Sequence, residues 1–113
     1  MANYSASLDK AFGALADPTR RAMISRLQRG PASVTQLADP LPMAMPSVLK
    51  HLRVLTEAGL VATSKRGRVR MCTLRTDVLD ETAKWIDEHR RVWETRLASL
   101  DDALTRPHDK ENE

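Results

Sequence analysis

The side chains with the most chemical reach in this chain are cations. Four of the six residues from Lys65 to Arg70 are basic (Lys65, Arg66, Arg68 and Arg70), set around Gly67. Guanidinium groups stay protonated and present forked donors, so such a run suits phosphate oxygens or a nucleic-acid minor groove and not proton transfer. A merely solvated loop more often mixes signs. Lys50 and Arg53 form a second pair, at a spacing that places both on one side of a helix. The other candidates are sparse. Cys72 is the one cysteine, and His51, His89 and His108 are the three histidines; a disulfide or a zinc-stapled fold is not expected from them. Arg70 and Arg75 flank Cys72 and would lower its pKa, the condition for a redox switch. With no second cysteine to resolve a sulfenate, a plain strand residue is the better reading. No glycine-rich phosphate loop and no nucleophile–base set is found, so the chain is not expected to be an enzyme.

Charge is divided along the chain. The 113 residues carry +3 overall, with a pI near 9.4, but residues 1–76 carry +8 and residues 77–113 carry −5. A basic body of this kind points to a polyanionic partner, nucleic acid first and an anionic membrane surface second. The length is one domain's worth. The beginning, MANYSASLDK, lacks a basic region followed by an apolar stretch, and no run of 18 apolar residues occurs. Neither a signal peptide nor a membrane span is expected, which places the protein in the cytoplasm.

The cations need elements to position them, and the apolar spacing supplies these. Leu8, Phe12 and Leu15 predict a short amphipathic helix over 8–16. Asp17-Pro18 is a helix start, a carboxylate cap followed by a proline with no N–H to lose; the helix over 18–29 should bury Ala22, Met23, Ile24 and Leu27 and stop at Gly30. Ser33 and Gln36 make a capping box for a short third helix, ended by Asp39-Pro40. A fourth helix runs from about Pro46 to Ala58 with Val48, Leu52 and Leu55 inward and Gly59 as its stop. LVATS and VRMCTL, joined at Gly67, read as a β-hairpin.

From Asp77, read as a helix cap, a long helix should extend to about Leu104. Its apolar positions Leu79, Ala83, Ile86, Trp93, Leu97, Leu100 and Leu104 follow a heptad register, with Arg90 at the one interruption. That seam is longer than the small body needs, so part of it should meet another chain. The tail over 105–113 is expected to fray. The whole is a mainly α domain over 1–113 with a small β-hairpin wing, a winged helix-turn-helix: the helix-turn-helix at about 34–58, the wing at about 60–75, and the long dimerisation helix at about 77–104. On the fourth helix, the side opposite Val48, Leu52 and Leu55 carries Pro46, Lys50 and Arg53, flanked by Ser47 and Leu49. Lys50 and Arg53 can reach guanine O6 and N7 or phosphates, Ser47 can donate to phosphate, and Leu49 or Met45 can contact a thymine methyl.

Four strings, ALADPTRRAMISRL, SVTQLADPL, PSVLKHLRVLTEAGLV and KRGRVRMCTL, resemble the ArsR/SmtB-type bacterial transcriptional repressors over about residues 8–104. The resemblance implies a dimeric repressor bound to a palindromic operator on double-stranded DNA, with the first and last helices forming the dimer interface through Leu8, Phe12, Leu15, Ile86, Trp93, Leu97 and Leu100. The family commonly has serine where Leu49 stands and a capping residue near Ala44. Metal sensing is the family's best-known trait. SVTQLADPL carries no cysteine pair, and Asp87-Glu88-His89 resembles half of a zinc-sensing pattern whose other half falls on Leu100 and Ala103, so neither a metal nor a cofactor is expected. His51 occupies the family's histidine-leucine pair and is read as structural. Trp85 and Trp93 are expected to fill the dimer interface, with an organic effector between subunits as the alternative. The pattern from Trp85 to Leu97 resembles a branch of the family without metal sites, often encoded beside small START-like lipid-binding proteins. The competing function is a winged-helix interaction module whose basic face binds an acidic partner protein.

Overall fold

The structure, a computed structural model, describes residues 2–105, with side chains from residue 6 onward. In chain order the elements are α1 (Ala2–Leu15), α2 (Pro18–Leu27), β1 (Ala32–Ser33), α3 (Val34–Ala38), α4 (Met45–Glu57), β2 (Val61–Arg66), β3 (Val69–Leu74) and α5 (Asp77–Thr105). Residues 1–82 and 83–113 form two compact units, and α5 contributes to both. No helix among the described residues is long and apolar enough to cross a membrane. The tail expected to fray lies, beyond Thr105, outside the described residues.

Local chemistry accounts for most of the boundaries. Asp17 caps α2, its carboxylate accepting the Arg20 N–H at 3.1 Å, with Pro18 in the first turn. Ser33 and Gln36 close the capping box: Ser33 Oγ accepts the Gln36 N–H at 3.1 Å, and Gln36 Oε1 accepts the Ser33 N–H at 2.8 Å. At the far end of α4, Leu60 N–H donates to Leu55 O at 3.0 Å and Gly59 N–H to Thr56 O at 3.1 Å. This is a Schellman ending, and Leu55 and Leu60, both fully buried, make its accompanying apolar contact. Gly59 has φ +78°, a conformation that costs other residues a Cβ clash.

Several expectations need correcting. α1 begins at Ala2, not near residue 8, because residues 2–7 contain no glycine or proline to stop it; among the residues with described side chains, Leu8 is the first that is buried. Ala22 is exposed; at about 100° per residue it stands on the far side of α2 from the buried Met23, Ile24 and Leu27. Asp77 lies inside the first turn of α5 and binds Arg75 at 3.0 Å, while Thr76 supplies the first helical carbonyl. The hairpin is also part of a larger sheet. β1 adds to it, giving the antiparallel order β1-β3-β2 with Cys72 between Ala32 and Thr63. Around this sheet, α2, α3 and α4 bury one core that includes Met23, Leu27, Leu37, Leu52, Leu55, Leu60 and Val61.

A Cβ placed on Gly59 would lie 3.0 Å from Val78 Cγ2, whereas one on Gly13 meets nothing within 4 Å. Gly59→Ala is therefore expected to lower stability by about 1–2 kcal/mol and Gly13→Ala to leave it unchanged or raise it by up to about 1 kcal/mol. Urea unfolding of the two variants measures both, and equal midpoints would contradict the left-handed ending of α4.

Candidate nucleic-acid interface

One-sided burial of α4 creates the site. Val48, Leu52 and Leu55 are in the core, so the same helix turns Pro46, Lys50 and Arg53 outward with Ser47 and Leu49 beside them; Met45, the first residue of the helix, is exposed with these five. Ala44 caps the helix without a side-chain hydrogen bond; its carbonyl receives the N–H groups of Ser47 at 3.0 Å and Val48 at 3.2 Å.

The wing follows directly. β2 and β3 run in register from Val61–Leu74 to Arg66–Val69. They are joined by a two-residue turn in which Gly67 alone takes a positive φ, +63°, as a type II′ turn requires. Lys65, Arg66, Arg68 and Arg70 are all exposed. Lys65 and Arg70 stand directly opposite each other, a like-charge cross-strand pair that weakens the hairpin unless an anion lies over it.

The structure joins the two sets. A groove of about 530 Å³ runs between the outer face of α4, from Pro46 to Thr56, and Arg70 of β3. Arg70 stands on β3 as expected of a wing residue, and of the four wing cations it is the one that lines this groove beside α4. Thr56, in the last turn of α4, also lines the groove and was missed. Its hydroxyl donates to its own helix at Arg53 O, 2.9 Å away, and nothing in its spacing distinguishes it from a solvated residue.

The arginines sort into two groups. Arg20 and Arg21 bind the last carbonyls of α1: Arg20 Nε to Ala14 O at 2.7 Å, Arg20 Nη2 to Gly13 O at 3.1 Å, and Arg21 Nη1 to Leu15 O at 2.7 Å. Those positive groups complete a helix C-terminus. Arg26 reaches Gly30 O at 3.3 Å, and Arg75 reaches Asp77. The six cations of the site, Lys50, Arg53, Lys65, Arg66, Arg68 and Arg70, have no carboxylate ion-pair partner among the described residues.

His51, one residue from Lys50, is half-buried and meets Arg20 Nη1 through Nδ1 at 3.1 Å, with Asp17 Oδ2 3.8 Å away. This fits its structural reading. The Arg20 backbone N–H leads in holding the Asp17 carboxyl below the usual carboxylate range, with the Arg20 charge and the Thr19 N–H adding to it. Cys72 is fully buried, and burial pushes its thiol up against a weaker pull from Arg70. The flanking arginines thus do not make it a thiolate.

On α5, the Asp87 carboxylate is held by Arg90 and, at 3.0 Å, by Arg91; the Arg90 hydrogen bond leads in keeping it below the carboxylate range. His89 binds Trp85 O at 2.8 Å and stacks on the Trp85 ring with centroids 3.9 Å apart. Trp85 is half-buried, while Ile86, Val92, Trp93, Leu97, Leu100 and Leu104 are exposed, Trp93 by 61%. Of the three α1 positions expected at a subunit contact, Leu8 is already buried within its own chain and Leu15 packs on the core. Phe12 alone keeps substantial exposed surface.

A helix-turn-helix whose second helix and basic hairpin share one cationic groove defines a winged-helix DNA-binding protein. Comparison with known proteins agrees. A family profile described as a helix-turn-helix domain matches residues 15–64. The HTH-type transcriptional regulator Rv2034 of Mycobacterium tuberculosis is 44% identical over 80 residues, covering 64% of this chain and 75% of that protein. The transcriptional repressor SdpR of Bacillus subtilis is 28% identical over 79 residues, covering 70% and 88%. A solved ArsR family transcriptional regulator superposes with a TM-score of 0.75 at 44% identity, over 80% of this chain and 93% of that one. An ArsR-like regulator from a Rhodococcus species gives 0.74 at 31% identity, over 93% and 97%. The chain belongs to the ArsR/SmtB-type family of winged helix-turn-helix transcriptional regulators.

The burial of Cys72 sets an expectation at its thiol. A maleimide probe at neutral pH should label the folded protein at least about a hundredfold more slowly than the urea-unfolded chain. Rapid labelling of the folded protein would mean that the sheet opens at β3.

Proposed function

We propose that the protein is a homodimeric repressor that binds an inverted-repeat operator, with residues 1–82 as the DNA-binding body and the rest of α5 as the dimerisation helix. The observation that carries this reading is the set of six exposed cations on α4 and the wing, none of them paired with a carboxylate among the described residues; three of them, Lys50, Arg53 and Arg70, line the groove. Met45, Pro46, Ser47, Leu49, Lys50 and Arg53 enter the major groove, where Lys50 and Arg53 read base acceptors and Leu49 and Met45 offer apolar contact to thymine methyls. Lys65, Arg66, Arg68 and Arg70 hold the flanking backbone. The subunits meet through Phe12 and the exposed stripe Ile86, Trp93, Leu97 and Leu100, whose heptad spacing suits a second helix. No release from DNA is routed through a metal at Asp87 and His89, since the positions that would complete such a site are Leu100 and Ala103.

Selection from a random duplex library at near-physiological salt tests the proposal. An enriched inverted repeat, bound at least about a thousandfold tighter than a scrambled duplex, is expected. Sequence-blind binding that vanishes with salt would instead favour a module whose basic face takes an acidic partner protein. Arg66→Ala and Arg68→Ala should weaken binding to all sequences alike and flatten the salt slope by about one unit per lost phosphate contact; unchanged slopes would remove the wing from the interface. Leu97→Glu puts a charge into the stripe and should convert the dimer to monomer in sedimentation, with loss of operator binding. A dimer of undiminished affinity would exclude α5 as the interface.

A further inference from the structure

Arg20 touches three helices at once. Its backbone N–H is capped by Asp17 at the start of α2. Its guanidinium donates to Ala14 O and Gly13 O at the end of α1 and to His51 Nδ1 on α4, 31 residues further along the chain. A guanidinium offers no acceptor, so the 3.1 Å contact requires Nδ1 to accept. Such a hydrogen bond is open only to the tautomer that carries its proton on Nε2. Among the described residues, the charged groups within hydrogen-bond or ion-pair distance of the ring are Arg20 from the first turn of α2 and Asp17 from its cap, while Lys50 and Arg53 neighbour it along α4 and Arg20 itself is held by backbone carbonyls at the end of α1.

We propose that Arg20 and His51 form a positioning tie for DNA recognition, in which Arg20 anchors α4 to the end of α1 through neutral His51, and a proton on Nδ1 releases it. Lys50 precedes His51 directly and Arg53 follows two residues later, so a shift of α4 at this point moves both base-reading side chains. Protonation replaces an acceptor with a cation facing Arg20 at 3.1 Å and directs the new donor towards Asp17 Oδ2 at 3.8 Å. Asp17 stays ionised throughout the histidine range, since its carboxyl is held below the usual carboxylate values. The exchange of partners therefore belongs to His51 alone. The inference rests on the DNA-binding reading above and adds to it a link between α1, which carries Phe12 of the proposed dimer contact, and the recognition helix.

The test uses the full chain and the operator found by selection. The ratio of operator to scrambled-duplex affinity is followed from about pH 8 to about pH 5.5; the ratio cancels any general gain in phosphate attraction at low pH. The wild type is expected to lose on the order of tenfold in that ratio, the worth of one charge-assisted hydrogen bond. His51→Asn keeps an acceptor where Nδ1 stood and cannot take a proton there, so it should match the wild type at high pH and stay flat. Arg20→Gln should start about tenfold low and also stay flat. A His51→Asn profile that falls like the wild type, or an Arg20→Gln ratio equal to the wild type at high pH, overturns the tie. In the free wild-type protein at high pH, imidazole ¹⁵N shifts should place the His51 proton on Nε2; a proton on Nδ1 overturns the tie without any DNA measurement or any variant. Absence of a preferred sequence for the wild type would sink the DNA reading instead, and the ¹⁵N result would still judge the contact.

Discussion

The one-sided burial of α4 is the constraint on which the rest of the structure depends. Val48, Leu52 and Leu55 must leave water together, and a helix repeat then turns Lys50 and Arg53 outward without further specification. The Schellman ending passes that constraint on, because Leu60 packs beside Leu55 and Val61 begins β2. Arg75 N–H closes the base of the hairpin on Leu60 O at 2.9 Å. Recognition helix and wing are thus two ends of one buried segment, and the groove between them is set by the core and not by loop flexibility.

The sheet makes the wing more than a free hairpin. A two-stranded ribbon alone is at best marginal in water, yet this one carries Lys65 opposite Arg70 and ends in two more arginines. β1 offsets that cost at the root. Ala32 and Ser33 pair with Cys72 and Met71, and Ser33 also caps α3. The buried centre of β3 holds the strand while its far end projects unpaired charge. Stability and function therefore occupy opposite ends of the same two strands.

Features written in local spacing were legible in the sequence. The stripe on α4, the Asp17-Pro18 start, the Ser33–Gln36 box and the Gly67 turn each depend on residues within a few positions of one another, and the placement of six cations on the outer side of α4 and the wing follows from them. What could not be read depends on distant partners or on too little chain. β1 has two residues and so no periodicity. Ala22 sits among true core neighbours in sequence but not around the helix. Arg20 and His51 look like an ordinary cation and a family histidine until the fold brings them to 3.1 Å. Cys72 showed two flanking arginines but not its burial, and burial dominates its chemistry. Leu8 showed the right spacing for a subunit contact, yet its own chain covers it.

The charge division gains a physical sense beside the proposed dimer. Beyond Thr82, α5 keeps Ile86, Trp93, Leu97, Leu100 and Leu104 exposed, and in proteins most of a helix's stability comes from packing its apolar face. Burial of such a stripe, at about 25 cal/mol per Å² of apolar surface, is the available stabilisation, and a second copy presents the same stripe. Association of two chains also brings together two bodies of +8, each with a cationic groove. The −5 carried by residues 77–113 reduces each chain to +3, so the assembly need not overcome the repulsion of two uncompensated cations. Because phosphate repels that acidic segment, attraction to DNA has to come from residues 1–76, where the groove lies. In the proposed dimer, one distribution of charge would thus serve association and recognition together.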